Sequence, residues 1–196
     1  TECKLPRSLR SQKGRKMSTN PVIKAFFDEN TYTVTYIIHD TASKQAAIID
    51  SVLDYDPKSG RTSTNSADAL ITYLTENDLS LTWILETHAH ADHVTASQYL
   101  KEKCGGKIGI GADITEVQKV FAKIFNATDI ATDGSQFDQL FQDNDVITLG
   151  ETNITIMHTP GHTPACLCYV LDGHVFVGDT VFMPDSGTAR CDFPGG

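Results

Sequence analysis

The chain has 196 residues, a formal net charge of −9 and a hydrophobic content of 40%. This length and composition favour one globular domain with a sizeable core and argue against a disordered chain. The acidic balance argues against nucleic acid as a partner, and no apolar run approaches the ~20 residues that cross a bilayer. We therefore expect a small molecule as the partner, with no nucleic acid and no membrane.

Residues 1–16 differ in composition from the rest of the chain. They hold six Lys or Arg and one acid, and Met17 then opens a different kind of sequence. Such a stretch is either a basic targeting tail or upstream sequence before a start at Met17, and we favour the second. The predicted domain covers 17–196. We expect it to be incomplete at its C-terminus, because the chain stops at DFPGG with no closing strand or helix.

Five cysteines, an odd number with irregular spacing, and no visible secretory signal indicate reduced thiols. This favours a cytoplasmic location, or a mitochondrial one if the source is eukaryotic. Cys166 and Cys168 stand two apart in a predicted strand and share a face, which allows a soft-metal pair. Buried packing is the commoner role for such a pair, and we expect it here.

The order of the elements predicts a mixed α/β fold. Segments rich in β-branched and aromatic residues predict strands at 31–40, 44–52, 81–87, 107–111, 145–149, 153–159, 166–172 and 174–180. The first two strands would form a hairpin, and the polar stretch 51–66 predicts a loop. The alternation of strands and helices followed by a run of strands indicates sheets that are covered by helices.

Three helices are predicted from apolar residues at helical spacing, over 67–77, 93–104 and 113–125. Asn65 or Ser66 is expected to cap the first helix, and Asp92 lies at the start of the second. Asp113 would cap the third, with Glu116 at capping-box spacing.

Histidine and carboxylate side chains concentrate in three turns, which come after the strand segments LTWILET, NITIM and HVF. The turns are THAHADH, TPGHT and VGDT, and they contain His88, His90, Asp92, His93, His162 and Asp179. Loops at strand ends are where α/β proteins build their sites. Imidazole with carboxylate suits zinc, iron or copper, and it indicates a catalytic metal more than a structural zinc.

Each of these residues also has an ordinary explanation when taken alone. Asp92 fits a helix N-cap, and His162 and Asp179 fit polar turns. The HxHxDH string favours a metal site, because such crowding is repulsive unless metal or hydrogen bonds hold it. The other three histidines are expected to be structural or surface residues. They are His39, His158 and His174, of which His158 is the most arguable because it comes one strand step before TPGHT.

HxHxDH, TPGHT and the Gly-Asp turn together resemble the metallo-β-lactamase fold, over residues ~22–196. The resemblance implies an αββα sandwich of two mixed β-sheets flanked by helices. It also implies that Asp50, in AAIIDSV, is a carboxylate behind the metal site. The family pattern includes a later histidine that this sequence lacks, so a two-metal site is not implied for this chain.

Within that fold, ETHAHADHVTAS, TPGHTPACLCYV and VFVGDTVFMPDSGTARCDFPGG are similar to persulfide dioxygenases of the ethylmalonic-encephalopathy type and their bacterial relatives. The resemblance implies one Fe(II) per chain, with glutathione persulfide and O2 as substrates and sulfite as product. It assigns the iron ligands to His88, His162 and Asp179. It places His90, Asp92 and His93 behind them, where they would orient the ligands and bound water.

Arg190, in ARCDF, most nearly matches an arginine of that family. Its planar guanidinium suits a substrate carboxylate or a developing sulfonate, and a surface salt bridge is the alternative role.

The competing enzyme is a glyoxalase II-like thioester hydrolase with two zinc ions. Asp92 and His93 would then be direct ligands, Asp179 would bridge the metals, and a metal-bound water would attack the thioester. A β-lactam hydrolase has no support beyond the shared fold. An inactive truncated metal-binding fragment is the alternative from a different class. Oligomeric state stays open, with a homodimer as the commonest arrangement.

Overall fold

The structure is a computed structural model that describes residues 21–183 and 187–188. The strands in this part of the chain are β1 (Val22–Phe27), β2 (Val34–His39), β3 (Gln45–Ile49), β4 (Val52–Asp56), β5 (Arg61–Ser63), β6 (Ser80–Leu85), β7 (Val94–Thr95), β8 (Lys107–Gly111), β9 (Gln139–Phe141), β10 (Val146–Leu149), β11 (Thr152–His158), β12 (Leu167–Leu171), β13 (His174–Phe176), β14 (Val181–Met183) and β15 (Gly187–Thr188). The helices are α1 (Asn65–Glu76), α2 (Ser97–Cys104) and α3 (Ile114–Ile124), with a 3-10 turn at Gly178–Thr180.

Two sheets carry the architecture. The larger has the order β1-β2-β3-β6-β8-β9, in which β1 to β3 pair antiparallel and β3, β6, β8 and β9 pair parallel. The smaller has the order β10-β11-β12-β13 and is antiparallel throughout its described strands. The predicted hairpin of the first two strands is confirmed as β2 with β3.

The main core lies between the two sheets, and a second core lies between the larger sheet and its helices. Alternate residues of β2 serve the two cores, since side chains of a strand point alternately to opposite faces. Ile38 packs with Leu149 and Tyr169 from the smaller sheet. Ile37 packs with the cluster that contains Leu70 of α1 and Leu100 of α2. The predicted sandwich of sheets with flanking helices is therefore confirmed. Among the described residues, no helix is long and apolar enough to cross a membrane.

The prediction of a loop over 51–66 is wrong, because this segment forms the β4–β5 hairpin. Asp56 accepts hydrogen bonds from the Lys58 amide at 2.9 Å and the Ser59 hydroxyl at 2.7 Å, which closes the turn. Val52 and Leu53 of β4 pair with Thr95 and Val94 of β7. This contact spans about forty residues, so local polarity could not indicate it.

The predicted cap of α1 by Asn65 or Ser66 is also wrong, whereas the predicted position of Asp113 at the cap of α3 is confirmed. At α1 the capping position is Thr64, and the Asp54 carboxylate accepts from the Ser66 amide at 3.0 Å. Asp113 does occupy the capping position of α3, but its side chain makes no cap hydrogen bond there. Instead, Asp113 Oδ2 lies 3.3 Å from His158 Nε2.

Asp92 is not the cap of the second helix. α2 begins at Ser97, because Val94 and Thr95 extend as β7 and pair with β4. The Thr95 hydroxyl accepts from the Ser97 amide at 3.1 Å and takes the place of a cap. The Asp92 carboxylate is therefore available to the histidine turn.

Candidate metal centre

The parallel pairing of β3 and β6 brings the first part of the centre together. Ile49 and Leu85 are register partners, so the residues that follow them leave the sheet at the same edge. Asp50 follows β3 with φ +51, and its amide donates to the Leu85 carbonyl at 2.9 Å. The segment after β6 carries the histidine turn, which lies beside the buried Asp50 side chain.

His88, His162 and Asp179 meet although they come from three separate turns. Their potential ligand atoms all lie within 4.8 Å of one another. Asp179 Oδ2 is 3.8 Å from His88 Nε2 and 3.4 Å from His162 Nε2. The two imidazole rings are nearly perpendicular, with centroids 4.9 Å apart. The structure thus assembles the predicted set of two histidines and one carboxylate.

A chain of hydrogen bonds orients the His88 ring. The Thr87 hydroxyl donates to Asp50 Oδ2 at 2.9 Å, so its oxygen accepts from His88 Nδ1, also at 2.9 Å. The Thr87 amide donates to Asp50 Oδ1 at 2.8 Å. With its hydrogen on Nδ1, the neutral ring presents a lone pair at Nε2. Burial, followed by the charge of His90, lowers the pKa of His88 to about 3, which keeps the ring neutral.

The Nε2 atom of His88 is buried and has no hydrogen-bond partner among the described residues. A buried polar atom without a partner is costly unless something else satisfies it. A lone-pair nitrogen that faces a carboxylate and a second imidazole fits a metal ion. This donor set of two nitrogens and one oxygen suits iron or zinc.

Two cysteines contact the turn that carries His162. Cys166 Sγ lies 3.2 Å from both the amide and the hydroxyl of Thr163, and Cys168 Sγ lies 3.3 Å from the Thr159 hydroxyl. Both cysteines are buried, which confirms the packing role that the sequence predicts. Within the described residues, neither belongs to a cluster of possible metal ligands.

Asp179 lies in the 3-10 turn after β13, and its side chain is 34% exposed. Burial raises its pKa, and the nearby His162 opposes that rise. The preceding residue, Gly178, has φ +47, a conformation that strongly favours glycine.

His90, Asp92 and His93 form a second cluster of possible ligands beside the first. The centroid of the His90 ring lies 4.1 Å from that of His88 and 4.2 Å from that of His93. Asp92 Oδ1 is 3.3 Å from His93 Nδ1, and Asp92 Oδ2 accepts from the Thr33 hydroxyl at 3.0 Å. The hydrogen bond with His93 holds the pKa of Asp92 well below its usual range.

His90 is held from behind by two buried carboxylates. Its Nε2 lies 3.1 Å from Asp50 Oδ1 and 3.3 Å from Glu86 Oε2. Burial opposes a charge on the ring, but the two carboxylates outweigh burial and raise the pKa of His90 well above its usual value. Nδ1 of His90 points the other way and lies 4.0 Å from Asp92 Oδ1.

Glu86 and the role of Thr87 were not predicted from the sequence. One signal was present, since Glu86 is a charged residue that directly follows the apolar end of a strand and directly precedes the histidine turn. The remaining histidines lie outside both clusters, as predicted. His39 is near Tyr73, His158 bonds the Pro164 carbonyl, and His174 is exposed. Arg190 lies outside the described residues.

Two cavities open beside the histidine turn, and both are lined in part by His90 and Asp92. The larger, of about 980 Å³, extends past Asp54 and Tyr55. The smaller, of about 570 Å³, reaches Asp179 and is lined by the aromatic side chains of Tyr32, Tyr36, Phe176 and Phe182. The smaller cavity therefore gives access to the first ligand cluster.

The profile of the metallo-beta-lactamase superfamily matches residues 29–196, most of the chain. The protein belongs to the metallo-β-lactamase superfamily. The fold and the family inferred from the sequence motifs are thus confirmed, and members of this superfamily are metal-dependent enzymes.

Several known proteins are similar to this chain. It is 55% identical to a probable metallo-hydrolase of Burkholderia pseudomallei over 89% of this chain and 63% of that protein. It is 50% identical to glyoxylase B2 of Dictyostelium discoideum over 92% of this chain and 63% of that protein. It is 30% identical to the human mitochondrial persulfide dioxygenase ETHE1 over 89% of this chain and 58% of that enzyme. The chain thus spans about three fifths of the length of these relatives.

Among solved structures, the crystal structure of ETHE1 from Myxococcus xanthus superimposes with a TM-score of 0.69 at 29% sequence identity. The match covers 89% of this chain and 64% of that one.

Proposed function

We propose that the protein is a persulfide dioxygenase that uses one Fe(II), held by His88, His162 and Asp179. The observation that carries the proposal is the meeting of these three side chains within 4.8 Å, with His88 Nε2 buried and unpartnered among the described residues. Two histidines and one carboxylate are the ligand set that non-haem Fe(II) oxygenases use, because it leaves coordination positions open. The similarity to human ETHE1 supports the same choice.

The proposed reaction converts the outer sulfur of glutathione persulfide into sulfite and releases glutathione. O2 supplies two of the three oxygen atoms of sulfite, and water supplies the third. When bound, the iron would supply open positions for the persulfide sulfur and O2 together with the redox chemistry.

The residues around the ligands orient them and the substrate. Asp50 and Thr87 fix the lone pair of His88 toward the metal position. The cavity beside Asp179 is large enough for a thiol substrate, and its aromatic wall would exclude water from the sulfur. We further propose that Arg190 binds a substrate carboxylate, since its planar guanidinium pairs well with such groups.

A thioester hydrolase is the second candidate, and one specific observation favours it. His90, Asp92 and His93 form a second possible ligand cluster next to the first, as a two-metal centre needs. The Dictyostelium relative carries the name glyoxylase B2. In this alternative, the two clusters would together hold two zinc ions, which would activate a water for attack on the thioester, and the surrounding residues would orient that water.

Turnover of the two substrate classes separates these proposals. Protein loaded anaerobically with Fe(II) is expected to consume O2 when glutathione persulfide is added and to release sulfite. The His162→Ala variant should lose this activity, because it lacks one of the three ligands. Hydrolysis of a glutathione thioester by zinc-loaded protein, without O2 uptake by the iron form, would contradict the dioxygenase proposal and support the hydrolase.

A further inference from the structure

Glu86 is a buried carboxylate that the proposed function does not use. It follows β6 and is 3% exposed. Its amide donates to the Gly109 carbonyl at 3.0 Å, and its own carbonyl accepts from the Tyr169 hydroxyl at 2.8 Å. Its backbone is thus fixed by both sheets. Buried carboxylates are rare unless they are paired or functional.

The two oxygens of Glu86 have different partners. Oε1 accepts from the hydroxyls of Thr95, at 2.5 Å, and Ser97. Thr95 ends β7 and Ser97 begins α2, so the junction of this strand and helix holds one side of the carboxylate. Oε2 lies 3.3 Å from His90 Nε2 and makes no hydrogen bond of its own in the described residues.

Asp50 faces the same nitrogen. Because a carboxylate can only accept, His90 Nε2 donates to Asp50 Oδ1 at 3.1 Å. Two buried carboxylates therefore converge on one N–H group, and the ring must present Nδ1 toward Asp92. Asp50 also accepts from Thr87, whose oxygen holds His88. A shift of the His90 ring would therefore move Asp50, and through Asp50 and Thr87 it would change the position of His88.

We propose that Glu86 is a positioning residue that raises the affinity of the centre for a divalent cation. It does so in two ways. It fixes the His90 ring, and it adds a buried negative charge behind the ligand cluster, where a nearby cation stabilises it. The inference rests on the metal centre of the proposed function, and it holds for the dioxygenase and for the hydrolase alike.

The test compares Zn(II) affinity, measured by competition with a chromophoric chelator, for three proteins. Glu86→Gln keeps the size of the side chain and removes the charge, and we expect it to bind Zn(II) about 10–100-fold more weakly. The matched control is Glu102→Gln, which makes the same change at an exposed position of α2. We expect its affinity to stay within about twofold of the wild type, because exposed charges are screened.

One further measurement separates positioning from a merely structural role, and a second variant is available if Glu86→Gln does not fold. The absorption spectrum of the Co(II) form reports the geometry of the ligands, and it should change in Glu86→Gln and not in Glu102→Gln. If Glu86→Gln does not fold, Ser97→Ala replaces it, since this change removes one hydroxyl from Oε1 and keeps the charge. We expect about fivefold weaker Zn(II) binding for Ser97→Ala, the value of one hydrogen bond.

Wild-type affinity and an unchanged Co(II) spectrum in folded Glu86→Gln would overturn the inference and leave the proposed function standing. If Ser97→Ala has to stand in for it, unchanged Zn(II) affinity would overturn the inference in the same way. Failure of the wild-type protein itself to bind Zn(II), Co(II) or Fe(II) would instead overturn the proposed function.

Discussion

Gly178 lies directly against the side chain of Thr87, so that a Cβ on Gly178 would stand 2.3 Å from the Thr87 hydroxyl oxygen. The residues that follow these two are Asp179 and His88. The contact therefore joins two of the turns that carry the candidate ligands, and it brings a carboxylate from one half of the chain to a histidine from the other. Position 178 therefore accommodates only glycine, which has no side chain to overlap Thr87.

We predict that Gly178→Ala destabilises the protein and weakens Zn(II) binding. The added methyl group overlaps Thr87, and φ +47 is itself unfavourable for alanine. The control is Gly173→Ala, at φ +85, where no atom lies within 4 Å of the new Cβ. Urea unfolding should show Gly178→Ala to be about 1–3 kcal/mol less stable than Gly173→Ala, the usual cost of overpacking. Equal costs for the two variants would show that the contact with Thr87 does not matter.

Thr87→Val tests the link between Asp50 and His88. Valine keeps the shape of threonine but removes the hydroxyl that donates to Asp50 and accepts from His88. Both buried partners lose a hydrogen bond, so we expect a loss of about 1–3 kcal/mol in the free energy of unfolding and weaker Zn(II) binding. Thr82→Val is the comparison, since the Thr82 hydroxyl bonds the Ala46 carbonyl in the sheet. It should cost stability and leave Zn(II) affinity unchanged. A Thr87→Val protein that binds Zn(II) as the wild type does would refute this link.

His162→Ala and His174→Ala form a matched pair for the ligand assignment. His162 Nε2 lies 3.4 Å from Asp179 Oδ2, whereas His174 is exposed on β13 and belongs to none of the three groups of possible ligands in the described residues. We expect iron occupancy after anaerobic loading and dialysis to fall at least about tenfold in His162→Ala and to stay unchanged in His174→Ala, as measured by mass spectrometry of metal content. Similar occupancy in the two variants would remove His162 from the ligand set.

The metal-free protein should lose stability in acid partly through His88. Burial, followed by the charge of His90, lowers the pKa of His88 from 6.5 to about 3 in the folded chain. Between these two values the unfolded chain binds a proton that the folded chain does not. The contribution of His88 to stability is therefore present above pH 6.5 and is lost as the pH falls toward 3, by up to about 1.4 kcal/mol per pH unit.

The variant His88→Gln isolates that contribution, since glutamine does not titrate. Urea unfolding of the metal-free proteins from pH 7 to pH 4, or as far into acid as they stay folded, should give a shallower decline for His88→Gln than for the wild type. His174→Gln should keep the wild-type slope, because that histidine is exposed. Parallel curves for the wild type and His88→Gln would mean that His88 is not held neutral in the folded chain.

The candidate ligands could be predicted from the sequence because their chemistry shows in single letters. His88, His162 and Asp179 each follow a strand, and the structure brings all three together. The strands themselves were predictable where their residues are buried and β-branched, as in β2 and β3. Position after a strand end and residue type indicated six candidate residues, and the resemblance to persulfide dioxygenases selected these three among them.

Other features depend on contacts that the local sequence does not encode. β4 forms because Val52 pairs with Thr95, and that same pairing delays the start of α2 to Ser97. The assignment of Asp92 as a helix cap failed for this reason. The sequence does not encode the approach of Glu86 and Asp50 to the same nitrogen of His90, because the two carboxylates follow different strands. Such convergence is a property of the parallel sheet edge and not of any one segment.

The number of iron ions that one chain binds tests the proposed metal centre. The measurement is an anaerobic titration of metal-free protein with Fe(II), followed by determination of iron and protein after removal of unbound metal. We predict one Fe(II) per chain in the wild type and loss of that ion in Asp179→Asn, which keeps the size of the side chain and removes its charge. Two ions per chain, or one ion that persists in Asp179→Asn, would contradict the assignment of a single iron to His88, His162 and Asp179.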